Sequence, residues 1–271
     1  MKKIKLIGLL WISCFYAYSQ EVFKNEELSI SRLEKNVYVV ETSDKTTMYI
    51  IEGNHKSVLI DTGTKCRALD SIVGLITQKP LMVIATHAHP DHIGNIGYFR
   101  EIYIHPADNE LLKSYNYKGK VNYLYVGDVI DLGGTRLEVD LMPGHTPGSI
   151  ILIDRAEAIA YTGDAFGSGQ VWMQLKPHIP MAMYYESCKR MLTWMDKGIT
   201  KIYCGHYPHV KRALDKAYML TMTALARRLG EEDTEGAVPA PYAKVGAMGA
   251  TNPMMLSDGA VAIVYDPEHI N

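Results

Sequence analysis

The sequence predicts an α+β fold in which sheets pack together and helices cover them. Three observations carry this. Short apolar and β-branched runs alternate with turn signals, a few longer stretches have apolar residues at helical spacing, and the two kinds interleave along the chain. The 271 residues suffice for a large buried core, and 47% hydrophobic with 21% charged residues excludes disordered, collagen-like and multi-span membrane classes.

From Leu28 the pattern gives strands over Ile30 to Leu33, Val37 to Val40, Met48 to Ile51 and Ser57 to Ile60, the last running into Asp61-Thr62-Gly63. Ala68 to Thr77 carries Leu69, Ile72, Val73 and Ile76 at helical spacing, and Leu81 to Ala85 is a continuous apolar run after Pro80. This strand, helix and strand deliver His87. Further strands are expected near Ile102 to Ile104, Val129 to Leu132, Leu137 to Met142, Ser149 to Ile153, Ala158 to Tyr161 and Ile202 to Cys204. Helices are expected over Tyr184 to Met195 and Val210 to Leu229, then a loop over Glu231 to Pro241 and a last strand around Ala260 to Tyr265.

Residues 1–19 read as a signal peptide. Lys2, Lys3 and Lys5 precede an apolar run from Leu6 to Tyr18 too short to span a bilayer, and Ala17-Tyr18-Ser19 offers a small-x-small cleavage signal before Gln20. The expectation is a periplasmic or secreted protein with residues 20–271 as a single domain; lipoprotein anchoring at Cys14 is the lesser alternative. The net charge of −2, more negative once the leader lysines are gone, is no nucleic-acid footprint, so the expected partner is a small-molecule substrate. Cys66, Cys188 and Cys204 remain after cleavage, an odd count without CxxC spacing, so no disulfide framework follows.

Thr86-His87-Ala88-His89-Pro90-Asp91-His92 follows an apolar strand directly. On an extended strand end, residues i and i+2 point the same way, so His87 and His89 can grip one metal. Pro90 then turns the chain, and a helix start presents Asp91 and His92 to a neighbouring metal. A surface histidine cluster is the alternative reading. Three further donors follow at strand ends, each with a glycine before it: His145 in Pro143-Gly144-His145, Asp164 in Thr162-Gly163-Asp164 and His206 in Cys204-Gly205-His206. Glycine there admits a close approach of backbone to the site.

With these residues the chain resembles the metallo-β-lactamase-fold hydrolases, through the HxHxDH motif at His87, His89, Asp91 and His92 and the later His145, Asp164 and His206 in the family's order. The resemblance implies a four-layer αββα sandwich. It implies that His87, His89 and His145 hold a first metal and Asp91, His92 and His206 a second, with Asp164 bridging. Asp61 in Ile60-Asp61-Thr62 is similar to that family's early aspartate, which orients the metal loop; a simple turn aspartate is the other reading. An aspartate at position 164, where some β-lactamases have cysteine, is similar to the glyoxalase II and lactonase branch.

Nitrogen and carboxylate donors suit two Zn²⁺ ions, with Fe or Mn possible at the more oxygen-rich second position. The expectation is a metal-dependent hydrolase that cleaves an ester, thioester or lactone by metal-bound hydroxide, with Asp91 as the catalytic residue orienting it. A metallo-β-lactamase acting on β-lactam amides is the alternative, and a non-catalytic zinc-binding protein on the same scaffold the second alternative. Trp172, Met173 and Tyr207 are the candidate substrate-pocket residues, His178 is a lesser one, and His105 and His209 read as surface residues.

Overall fold

The computed structural model describes residues 20–271; the expected signal peptide and Cys14 lie outside these. An eight-stranded sheet is laid down in chain order: β1 (Gln20–Lys24), β2 (Leu28–Glu34), β3 (Val37–Thr42), β4 (Thr47–Glu52), β5 (Ser57–Ile60), β6 (Leu81–Ile84), β7 (Glu101–Ile104) and β8 (Lys120–Tyr123). Its first five strands are antiparallel neighbours, and pairing turns parallel from β5 onward, where α1 (Leu69–Ile76) makes the crossover to β6. The short helices α2 (Pro90–Ile93) and α3 (Asn109–Lys113) follow β6 and β7.

A second, five-stranded sheet contains β9 (Val129–Asp131), β10 (Arg136–Leu141), β11 (Ile150–Asp154), β12 (Ile159–Gly163) and β14 (Lys201–Cys204), in the order β14, β12, β11, β10, β9. A third sheet joins β13 (Gln170–Trp172) to β17 (Val261–Tyr265), β16 (Met254–Asp258) and β15 (Val238–Pro239). The helices α4 (Met181–Asp196), α5 (Tyr207–Val210) and α6 (Lys216–Gly230) complete the chain.

The layers follow from the two-residue period of the strands. In β3 and β4, Val37, Val39, Tyr49 and Ile51 pack against Leu137, Val139, Leu152 and Tyr161 of the second sheet. Their neighbours Tyr38, Val40, Met48 and Ile50 face the other way, onto Leu69, Ile72 and Val73 of α1. Such strands are covered on both faces and therefore read as continuous apolar runs. The outer face of the second sheet, with Ile151, Ile153, Ala160 and Ile202, is covered by Tyr184, Cys188 and Met191 of α4 and Met219, Met222 and Leu225 of α6. Helix, sheet, sheet and helix are thus the four expected layers.

One helix boundary and several strands differ from expectation. The helical stretch after Val210 begins only at Lys216, because Leu214 bridges to Ile202 and Asp215 caps α6 by accepting from the Tyr218 N–H. The strands β1, β8, β13, β15 and β16 were not expected; they are short or lie near exposed sheet edges, where the apolar alternation is weak. Cys66, Cys188 and Cys204 are all buried free thiols.

Candidate metal centre

The HxHxDH loop is held before any cation is considered. Asp61 sits just past β5 with a left-handed backbone (φ 61°). It accepts from the Thr86 N–H at 2.7 Å, from Thr86 Oγ1 at 2.9 Å and from His92 Nδ1 at 2.8 Å. Asp61 therefore couples β5 to the loop after β6 and leaves His92 Nε2 facing the site. Pro90 opens α2, whose turn presents Asp91 and His92 as expected.

The other donors come from the second sheet. His145 follows β10, Asp164 comes directly after β12 and His206 two residues past β14. His145 Nδ1 donates to the Trp172 carbonyl at 2.8 Å, and His206 Nδ1 to the Lys45 carbonyl at 3.2 Å, which leaves each Nε2 pointing inward. The glycines are steric requirements. A Cβ on Gly205 would stand 2.3 Å from Asp164 Oδ1 and 2.6 Å from His92 Cε1, and one on Gly163 would stand 2.2 Å from Thr86 Oγ1.

All seven expected donors meet, in two groups. Donor atoms of His87, His89 and His145 lie within 4.8 Å of one another, as do those of Asp91, His92, Asp164 and His206. Asp164 faces both groups: Oδ2 is 3.8 Å from His145 Nε2 and 3.2 Å from His206 Nε2, and Oδ1 is 3.5 Å from His92 Nε2. His87 Nε2, His92 Nε2 and Asp164 Oδ1 are buried without any hydrogen-bond partner. Orphaned buried donors converging on common points are what cations would satisfy, so these residues could hold a pair of metal ions.

The electrostatics separate the groups. Burial, together with the neighbouring imidazoles, pushes His87 and His89 below the usual histidine range, His89 to about 3, and burial also lowers His145. These three offer neutral lone pairs. In the second group burial disfavours charge on His92 and His206, yet Asp164 and Asp91 outweigh it and raise both, His206 to about 10. Burial likewise works to raise Asp91 and Asp164, but the two imidazoles hold both below the usual carboxylate range. The second group is built around negative charge.

Asp108 was not foreseen. It is fully buried and accepts from the Ala88 N–H (2.8 Å), Thr146 Oγ1 (2.9 Å) and the Gly148 N–H (2.6 Å), so it ties the HxHxDH loop to the His145 loop. Only turn chemistry around Pro106 marks it in the sequence.

A cleft of about 670 Å³ opens over the donors. His89, Asp91, His145, Asp164 and His206 form its floor; Trp172, Leu175, Val245, Met248, Ala260 and Ala262 contribute apolar walls. Of the three expected pocket residues only Trp172 lines it. Met173 comes directly after β13 and points the opposite way, into the core beneath α4 and α6. Tyr207 opens α5 and packs edge-on to Tyr203, 6.0 Å between ring centres, instead of facing the cleft. His209, expected at the surface, lines the cleft beside His206. The Val245 to Ala262 wall carries no donor pattern and was missed; Gln174 holds it, donating to the Ala243 carbonyl (2.6 Å) and accepting from the Ala250 N–H (3.1 Å).

Comparison with known proteins agrees with this geometry. The family model of the metallo-beta-lactamase superfamily matches residues 42–206, a span that includes all seven donors and Asp61. Acyl-coenzyme A thioesterase MBLAC2 of Gallus gallus is 29% identical over 208 residues, covering 62% of this chain and 74% of the relative. Hydroxyacylglutathione hydrolase of Mesorhizobium japonicum is 31% identical over 131 residues, 47% of this chain and 48% of the relative. Among solved structures, a metallo-β-lactamase from Erythrobacter litoralis superposes with a TM-score of 0.59 at 18% identity, covering 76% of this chain and 99% of that one, which shows the fold. The site and fold thus define a metal-dependent hydrolase. The chain belongs to the metallo-beta-lactamase superfamily, with relatives in its glyoxalase II and thioesterase branches.

Proposed function

We propose that the protein is a dinuclear zinc hydrolase acting on the carbonyl of a thioester, ester or lactone with an apolar acyl group. The observation that carries this is Asp164, whose carboxylate faces both donor groups. Bound zinc would supply an acidified water and a Lewis acid at neutral pH. His87, His89 and His145 would hold one ion and Asp91, His92 and His206 the other, with Asp164 shared between them.

The chain's own part is positioning. Trp172, Leu175, Val245 and Met248 seat the acyl chain and exclude water from the cleft. The water oxygen adds to the carbonyl carbon, the carbon–sulfur or carbon–oxygen bond breaks, and the leaving group departs with a proton. Asp91 lines the cleft floor with its Oδ2 3.2 Å from His206 Nε2. Its Oδ1, which that contact does not use, accepts a hydrogen bond from the attacking water and orients it. The relatives named as a thioesterase and a hydroxyacylglutathione hydrolase support the acyl-transfer reading over phosphodiester chemistry.

The test is a panel of acyl thioester, lactone, β-lactam and phosphodiester given to zinc-reconstituted protein. A kcat/KM for a thioester or lactone at least about 100-fold above that for the β-lactam is expected. A preference for the β-lactam would replace the proposal with its amide-cleaving alternative, and two tightly held ions without turnover would favour a non-catalytic zinc protein. The leader pattern of residues 1–19 supports export as part of the same reading. N-terminal sequencing of protein from fractionated cells should then find a start near Gln20 outside the cytoplasm, and an uncleaved cytoplasmic chain would remove that part.

A further inference from the structure

A second cluster of donors lies apart from the cleft, where the end of β17 meets the loop before α4. Asp266 follows β17 directly and is buried. Its Oδ2 is 2.8 Å from His269 Nδ1 and 3.5 Å from His178 Nε2, and the two imidazole rings lie with centres 4.3 Å apart and planes tilted by 47°. One donor atom from each of the three residues lies within 4.8 Å of the others. None of the three lines the cleft.

Two features distinguish this cluster from an ordinary buried ion pair. First, His178 Nε2 is buried and has no hydrogen-bond partner, although a carboxylate oxygen stands 3.5 Å away. A neutral imidazole turns a lone pair toward a carboxylate only at a cost, unless a cation sits between them. Protonating both rings instead would set two positive charges face to face. Burial and the neighbouring His269 in fact hold His178 below the usual histidine range. Second, no lysine or arginine among the described residues pairs with Asp266; its ion-pair partners are these two histidines.

The scaffold is already in place. The Met181 N–H donates to the Ile270 carbonyl at 2.7 Å and the His269 N–H to the Asp266 carbonyl at 3.1 Å, so the tail carrying His269 is fastened to the start of α4. We propose that His178, Asp266 and His269 bind one divalent cation of the zinc type, separate from the principal centre, with the fourth position left to water. The bound ion joins the segment after β17 to the loop that carries His178, ahead of α4.

Zinc alone is the probe. Purified protein and its His178→Gln and His269→Gln variants are equilibrated with buffered free zinc, gel-filtered and assayed for zinc per chain. Each variant is expected to retain one zinc fewer than the parent, with turnover per principal centre unchanged. Equal zinc in all three overturns the proposal, and because it is read as a difference, the result holds whatever the principal centre binds. A measurement on the unaltered chain guards against misfolded variants. Acylation of the exposed His269 by diethyl pyrocarbonate, mapped by mass spectrometry, should slow about 10-fold at free zinc near 10 times Kd. An unchanged rate with zinc would overturn the site as well.

Discussion

The donor-bearing floor of the cleft hangs from strand ends, with ligating side chains fixed by Asp61, Asp108 and backbone carbonyls. The facing wall, Val245, Met248, Ala260 and Ala262, has no donor; the amide of Gln174 fixes its loop between Ala243 and Ala250, and Ala260 and Ala262 sit on the hairpin of β16 and β17. The floor lies within the span matched by the family model, residues 42–206, and the wall lies outside it. The donors and this part of the cleft lining thus come from separate stretches of the chain, while Trp172 and Leu175 of the same lining fall within the matched span. Floor and facing wall can be altered independently.

The sharpest way to break that separation is to disable the floor. Asp164→Asn removes a charge from both donor groups, and turnover should fall by about 1,000-fold or more with loss of bound metal; full activity with two metals retained would contradict it. Asp61→Asn leaves every donor present but weakens the anchoring of His92 and Thr86. A loss of about 10- to 100-fold in zinc affinity or activity is expected, measured by chelator competition.

On the wall, Met248→Ala should lower kcat/KM for long acyl chains by about 10-fold relative to short ones and leave metal content unchanged. A drop in metal content would show the two regions to be coupled after all. The smallest effect should come from Glu34, which joins β2 to the Lys201 ammonium and Tyr203 hydroxyl of β14, remote from floor and wall alike. Burial pushes Glu34 up, but those two donors outweigh it and hold its carboxyl below the ordinary 4.5. Its stabilisation is therefore complete above that ordinary value and lost as pH falls through the lowered one. Glu34→Gln should cost about 0.5 kcal/mol at pH 7, read by urea unfolding, and the difference should shrink in acid.

The floor was legible because its donors are chemically conspicuous and sit after apolar strands with glycine at the junction. The layers were legible because apolar runs of strand length interleave with segments of helical spacing, even where strands covered on both faces hide their alternation. What escaped depended on contacts between distant segments. Asp108 looks like any turn aspartate until Ala88, Thr146 and Gly148 are seen to surround it. Trp172 and Met173 could not be told apart because β13 is only three residues long, too short to display an alternation. The Val245 to Ala262 wall offers neither charge nor period, so its place over the donors is set by folding of the C-terminal sheet alone.

His206 reaches the Lys45 carbonyl across 161 residues of chain, and His92 reaches Asp61 across 31. Closing loops of such different length takes place at different stages of folding, the short one readily and the long one only once both sheets have met. The second donor group therefore comes together late, from opposite ends of the folding sequence. Metal uptake at that position becomes a clock for the last step: during refolding, its appearance should coincide with the docking of the two sheets and trail the formation of the first sheet.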